Sequence, residues 1–312
     1  MEGFAILIAA VLLLGFSWSQ GGILGFTIAI VSPAVVVPTM IRLKENGWGM
    51  DKGIPVISLA ATNLDGLMAI ILWLVFMTLE LGGGDVWEVA GTAVFQIILG
   101  AVWGWLVGKL AVYLFDRYLL NKAFWLRVIL FLSLCLLVFL SGELLPINAP
   151  VALLVFGLYF VNTTQVEMRQ VGTVVSRIWA IAAIFLFAMI GAVADINVMF
   201  TVGLVGLFII FIGILARLLG AYVALNMGKS PLNNSEKLFV GISTTGKATV
   251  QATLAPLVVA AGVESGQTIL AIAVMSILVM APVASLAIEF TYRRLLHQSD
   301  QTVGETVVET KL

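Results

Sequence analysis

Apolar residues run in long blocks along this chain, broken only by short polar or Gly/Pro stretches. The blocks fall near 3–18, 20–43, 54–79, 87–115, 125–144, 148–163, 174–197, 200–227, 234–262 and 266–292. Crossing about 30 Å of hydrocarbon takes about 20 apolar helical residues, and most blocks approach or exceed that length. The pattern predicts an all-α polytopic membrane protein of about ten transmembrane helices. One membrane domain would occupy 1–296, and a polar tail 297–312.

Two blocks carry residues that a spanning helix does not favour. In the second, Ser32-Pro33-Ala34-Val35-Val36-Val37-Pro38 places two prolines five residues apart. Each lacks a backbone donor and clashes with the preceding turn, so this segment should unwind at its centre. In the ninth, Gly241 to Gln251 holds Ser243, Thr244, Thr245, Gly246 and Lys247 where a span should be most apolar. Irregular backbone at membrane depth is tolerated only when enclosed by protein or lining a wet cavity. The second block runs inward and the ninth outward, so the breaks occupy corresponding places in opposite topology. That is the signature of an inverted-repeat transporter with two discontinuous helices.

Composition narrows the classes further. The chain is 61% hydrophobic and 11% charged, with a net charge of -1, so it has no basic field for nucleic acid. Nothing resembles a phosphate-binding motif, and neither an ATP-driven pump nor any cofactor is expected. Cys135 and His297 are the only residues of their types, which excludes an intrachain disulfide and a thiolate metal cluster. The first block is preceded by an acidic residue, Glu2, and is followed by no cleavage-type small-residue site, so it reads as a retained helix. Lysines and arginines sort almost wholly onto alternate loops. Thirteen of sixteen lie at 42, 44, 52, 117, 122, 127, 169, 177, 229, 237, 293, 294 and 311. Basic loops stay cytoplasmic, which places both termini in the cytoplasm of a multi-pass protein of the inner (plasma) membrane.

Of the other three bases, Lys109 lies near a cytoplasmic helix end; Arg217 and Lys247, together with Asp65, are left inside the membrane, where each costs roughly 2.5–3.5 kcal/mol on insertion scales and should face a cavity or a partner. Asp65 lies in the third block, with Thr62 and Asn63 offering further oxygen atoms close by in sequence. Hard cations take oxygen ligands, and a carboxylate can hold a proton in place of a cation, which is the competition an antiporter needs. Lys247, at the second break, could neutralise the helix ends that meet there, pair with Asp65, or carry a proton itself. Charge compensation is the favoured reading. Arg217 reads as a structural ion-pair partner for Glu2 or Asp195.

The run Gly22-Ile23-Leu24-Gly25-Phe26, followed by Ser32 to Pro38, Lys52-Gly53-Ile54-Pro55 and Leu64-Asp65, resembles the cation:proton antiporter superfamily. Lys247-Ala248-Thr249-Val250-Gln251-Ala252 resembles it too. Within the superfamily the chain is most similar to the sodium/proton antiporter branch of bacteria and animals. The resemblance implies two broken helices crossing beside a carboxylate, with a second domain that forms a homodimer contact while the core moves like an elevator. It sets Asp65 on the first of the family's two adjacent aspartates, Lys247 on its core lysine, Arg217 on a membrane arginine and Glu2 on that arginine's acid. The implied activity is exchange of Na+ (or Li+) for H+, and the reading of the residues above makes Asp65 the ligand of the metal ion.

The chain departs from the family in two places. The second aspartate of the pair is Gly66 here, which motivates an alternative, a non-transporting antiporter-like membrane subunit. The first repeat also has three segments with its break in the second, whereas the later one has five with its break in the fourth. It therefore reads as an incomplete repeat whose N-terminal helices precede the given start.

Overall fold

A computed structural model describes residues 1–82, 86–119, 123–164, 168–193, 196–228 and 230–299. Lys122, Asp195, Lys229 and Lys311 lie outside the described residues. Within them the fold is all-α. The helices are α1 (Glu2–Leu14), α2 (Trp18–Ala29), α3 (Pro33–Glu45), α4 (Ile54–Glu80), α5 (Val86–Leu114), α6 (Phe124–Leu144), α7 (Ala149–Thr163), α8 (Met168–Val193), α9 (Ile196–Met227), α10 (Asn234–Ser243), α11 (Thr249–Ala260) and α12 (Gly266–Leu295). A π-helical turn, Phe115–Leu119, extends α5.

Among the described residues, six stretches are long and apolar enough to cross a membrane. One is the α2–α3 pair, and the others are α4, the stretch Val94–Leu119, α6, α9 and α12. The expectation of about ten spans is not reached by this count. At 1.5 Å per residue the 13 residues of α1 cover about 20 Å, and α7 and α11 are similarly short.

Both predicted interruptions are present. The first lies between α2 and α3, where Ile30 and Ser32 are extended and Pro33 opens α3 at its first position. Pro33 explains the break, since the residue before a proline is pushed out of the α region and proline itself suits a helix start. Pro38, expected to help unwind the segment, instead sits inside α3, which continues past it. The second interruption spans 244–248, between α10 and α11.

The chain forms two compact units, 1–81 with 187–312, and 82–186. In the first, α1 and α4 pack on α2, and α9 and α11 pack on α12. Ile6, Ile23, Leu24, Ile28, Ile269 and Ile272 fill the core. In this unit Leu296 is buried and the chain then turns back, so that Trp48 and Gln298 form an isolated antiparallel bridge. Gly49 N–H donates to His297 O at 2.7 Å, and Ser299 N–H donates to Gly47 O at 3.0 Å. The first residues of the predicted tail are thus fastened to the loop joining α3 to α4. In the second unit, α5 lies tightly along α7. A Cβ at Gly104 would stand 2.1 Å from Ala152 O, so only glycine permits this approach. Phe115, Phe131, Phe156 and Phe160 pack together beside that contact.

Candidate functional site

Breaking a helix at membrane depth leaves unpaired carbonyls at one half's end and unpaired N–H groups at the other's start. In the first unit these ends meet. Ser32 N–H donates to Gly246 O at 2.8 Å, so the two breaks are joined directly through their backbones. Thr249 N–H donates to Ser32 Oγ at 3.2 Å, and the two hydroxyl oxygens lie 3.1 Å apart. Gly246 is required here because a Cβ would stand 2.8 Å from Val35 Cγ1. Thr244 and Thr245 turn their hydroxyls back on α10, donating to Gly241 O and Ile242 O and so closing its last turn.

The carbonyl end of α2 collects donors from three side chains. Lys247 Nζ, 1% exposed, donates to Ala29 O at 3.1 Å, and Arg217 Nη2 donates to the same oxygen. Gln251 Nε2 donates to Ile30 O at 2.6 Å, with Thr27 O and Ile28 O at 3.2 and 3.3 Å. Cations are favoured at a helix C-terminus because the aligned peptide dipoles leave it partially negative.

Two carboxylates complete the cluster. Glu2, buried at the start of α1, accepts from Arg217 Nε and, at 3.0 Å, from Lys247 Nζ. Asp65 Oδ2 accepts from Arg217 Nη2 at 3.0 Å. The two acids and two bases therefore sum to zero charge at a helix crossing. Burying such a cluster is tolerable because each ion is paired and hydrogen-bonded. Glu2, Asp65 and Arg217 line a cavity of about 570 Å³ whose remaining wall, including Phe4, Phe26 and Met68, is mainly apolar. The Asp65 side chain is 34% exposed and Glu2 only 3%, so Asp65 is the more accessible of the two carboxylates.

The residues read from the sequence are placed as follows. Arg217 meets Glu2 and also Asp65, a partner the sequence did not suggest. Lys247 reaches Glu2 and a helix end, while Arg217 takes the contact with Asp65 that had been one option for Lys247. Thr62 is buried and donates to Ser58 O at 2.8 Å. Asn63 is exposed, and neither it nor Thr62 lines the cavity. Helix geometry separates the two: at about 100° per residue Asn63 points about 160° away from Asp65, whereas Thr62, three residues back, lies on the same side with its hydroxyl engaged by Ser58 O. Gly66 has open space, its nearest neighbour to a built Cβ being Ile30 Cγ2 at 3.8 Å. Gln251 has no role assigned by the sequence beyond its place in the Lys247–Ala252 motif. Its polarity in an apolar block was the available signal, but its partners lie more than 200 residues away in sequence.

The family described as "Sodium/hydrogen exchanger, transmembrane" matches residues 3–294. Sodium/hydrogen exchanger 9B2 of Homo sapiens is 31% identical over 320 residues, covering 95% of this chain and 58% of that protein. Sodium/hydrogen exchanger 9B1 of Macaca fascicularis is 26% identical over 309 residues, covering 96% of this chain and 60% of that protein. Sodium/hydrogen exchanger 9B2 of Mus musculus is 28% identical over 319 residues, covering 98% and 58% respectively. The chain thus spans less than two thirds of the length of these curated relatives. Its crossing half-helices and its similarity along nearly all of its own length lead to one conclusion: the chain belongs to the transmembrane sodium/hydrogen exchanger family, one of transporters and not of enzymes.

Proposed function

We propose that this chain works as a secondary transporter exchanging Na+, or Li+, for H+ across the membrane. One observation carries the reading: Asp65, a partly exposed carboxylate in a cavity wall, is held by a single guanidinium beside two crossing helix breaks. An ionised Asp65 attracts a monovalent cation and a protonated one releases it, so cation and proton compete for one group. Arg217 sets the threshold, because a cation that binds Asp65 must share the carboxylate with it or displace it. Lys247 offsets the negative end of α2 while Glu2 holds both bases in place, which keeps Asp65 the exchangeable acid.

The name of the relatives supports sodium and protons as substrates. The clustering of basic residues on alternate loops supports a plasma-membrane orientation with both termini in the cytoplasm. Homodimer formation, which the family resemblance implies, completes the proposal.

The test is sodium- and lithium-dependent proton movement in everted vesicles from antiporter-deficient cells, comparing the full-length protein with Asp65→Asn. Exchange that vanishes in the variant establishes the assignment. Exchange retained by the variant would remove Asp65 from it. No exchange by the parent protein would favour the non-transporting reading that Gly66 motivates.

A further inference from the structure

Gln251 is fully buried at the crossing and uses both ends of its amide. Its Oε1 accepts from Ala248 N–H at 3.0 Å, capping the first turn of α11. Its Nε2 faces three carbonyls from the end of α2, at 2.6, 3.2 and 3.3 Å. This orientation is the only one that pairs every group, since carbonyls need a donor and Ala248 N–H needs an acceptor. A single neutral side chain thereby ties the start of one half-helix to the end of the other. Neither a carboxylate, which accepts only, nor an ammonium, which donates only, can do both.

We infer that Gln251 is a positioning residue for the exchange reaction, acting through Lys247 and Arg217. The inference rests on the function proposed above. The physical argument starts at Ala29 O, which both bases use as an anchor. Ala29 lies between Ile28 and Ile30, whose carbonyls Gln251 holds, so the amide fixes the stretch of backbone that presents Ala29 O. Lys247 is four residues before Gln251 and one before Ala248, so the same amide fixes both the anchor and the approach of the ammonium. If the clamp is lost, Lys247 and Arg217 lose a common reference. The share of positive charge that each directs at Glu2 and Asp65 then changes. Affinity for the cation at Asp65 depends on that share, whereas the large-scale movement of the helices does not. Loss of the clamp therefore raises KM for sodium with little change in the maximal rate.

Gln251→Glu separates this role from simple packing. A protonated carboxyl has the shape of the amide and can still donate to Ile30 O. The ionised form has no donor and faces three carbonyls. Gln251→Met has similar length and no donor at any pH. Two readouts are needed in the full-length protein: KM for sodium in vesicles across pH, and labelling of Lys247 by a small amine-reactive reagent, read by mass spectrometry. The second does not depend on transport. For Gln251→Glu we expect a sodium KM within about twofold of the parent at acid pH and raised about tenfold at alkaline pH, a ratio in keeping with one lost buried hydrogen bond. Lys247, protected in the parent, should become labelled in parallel. Gln251→Met should show the raised KM throughout and the labelling at alkaline pH, where an accessible lysine amine reacts.

A parent-like KM profile with Lys247 still protected in both variants would overturn the inference. Failure of both variants to accumulate would overturn it as well, since that would assign Gln251 to assembly of the fold. A parent protein without exchange would refute the function proposed above. The labelling would then decide separately whether Gln251 positions Lys247.

Discussion

Arg217 Nη2 lies 3.0 Å from Asp65 Oδ2, while Nε of the same guanidinium engages Glu2. One side chain on α9 thus spans a carboxylate at the start of α1 and another midway along α4, and the planar fork of donors suits that task. If Asp65 is the exchanged group, its affinity for a cation is set against this guanidinium. Asp65→Asn removes the charge and leaves a near-isosteric side chain. We expect loss of sodium-induced thermal stabilisation in detergent. A ligand at 100 times its dissociation constant stabilises by about 2.7 kcal/mol, so the parent should show a clear shift and the variant none.

Arg217→Lys keeps the charge, but a single ammonium cannot reproduce the fork that reaches Glu2, Asp65 and Ala29 O together. Arg217→Ala goes further and leaves Glu2 with Lys247 alone. Removing one partner from a buried ion pair typically costs about 3–5 kcal/mol. A lowered melting temperature is expected for both, larger for alanine. A melting temperature unchanged by Arg217→Ala would show the pairing to be energetically idle.

Gly66→Asp should be accepted by the fold, because the space beside Gly66 is open. It would place a second carboxylate next to Asp65. With one exchangeable acid, swapping Na+ for H+ moves no net charge. With two, more than one proton can leave per sodium. Parent exchange is therefore expected to ignore an imposed potassium/valinomycin potential and the variant's to respond to it, since each net charge moved across 100 mV is worth about 2.3 kcal/mol. Potential-sensitive exchange by the parent would refute the single-carboxylate scheme.

In the second unit, Gly104→Ala forces a Cβ against the Ala152 carbonyl and must move α5 away from α7. Overpacking of this kind costs about 1–3 kcal/mol. Reduced thermal stability is the expected result. Gly91→Ala, on the same helix with nothing near its Cβ, should be neutral or slightly stabilising.

Much of this architecture could be read before any coordinates, because bilayer thickness and proline chemistry act locally. Apolar run lengths located the helices, and Ser32-Pro33 with Gly246-Lys247 marked both breaks. What failed depended on direction or distance. Asn63 is near Asp65 in sequence, yet the helix turns it to the opposite side. Pro38 looked as disruptive as Pro33, but only the proline at a helix start coincides with the break. The Arg217–Asp65 contact joins α9 to α4, and no local pattern announces it.

The bridge between Trp48 and Gln298 ties the chain after α12 to the loop between α3 and α4. The loop it holds is the end of α3 and the lead-in to α4, the helix that bears Asp65. Tension applied to the chain beyond Ser299, whether from a fused reporter, a tether or an antibody, is borne first by that loop. It thereby reaches one broken helix and the carboxylate helix together, so a load hung there would, on the function proposed above, act as a brake on exchange.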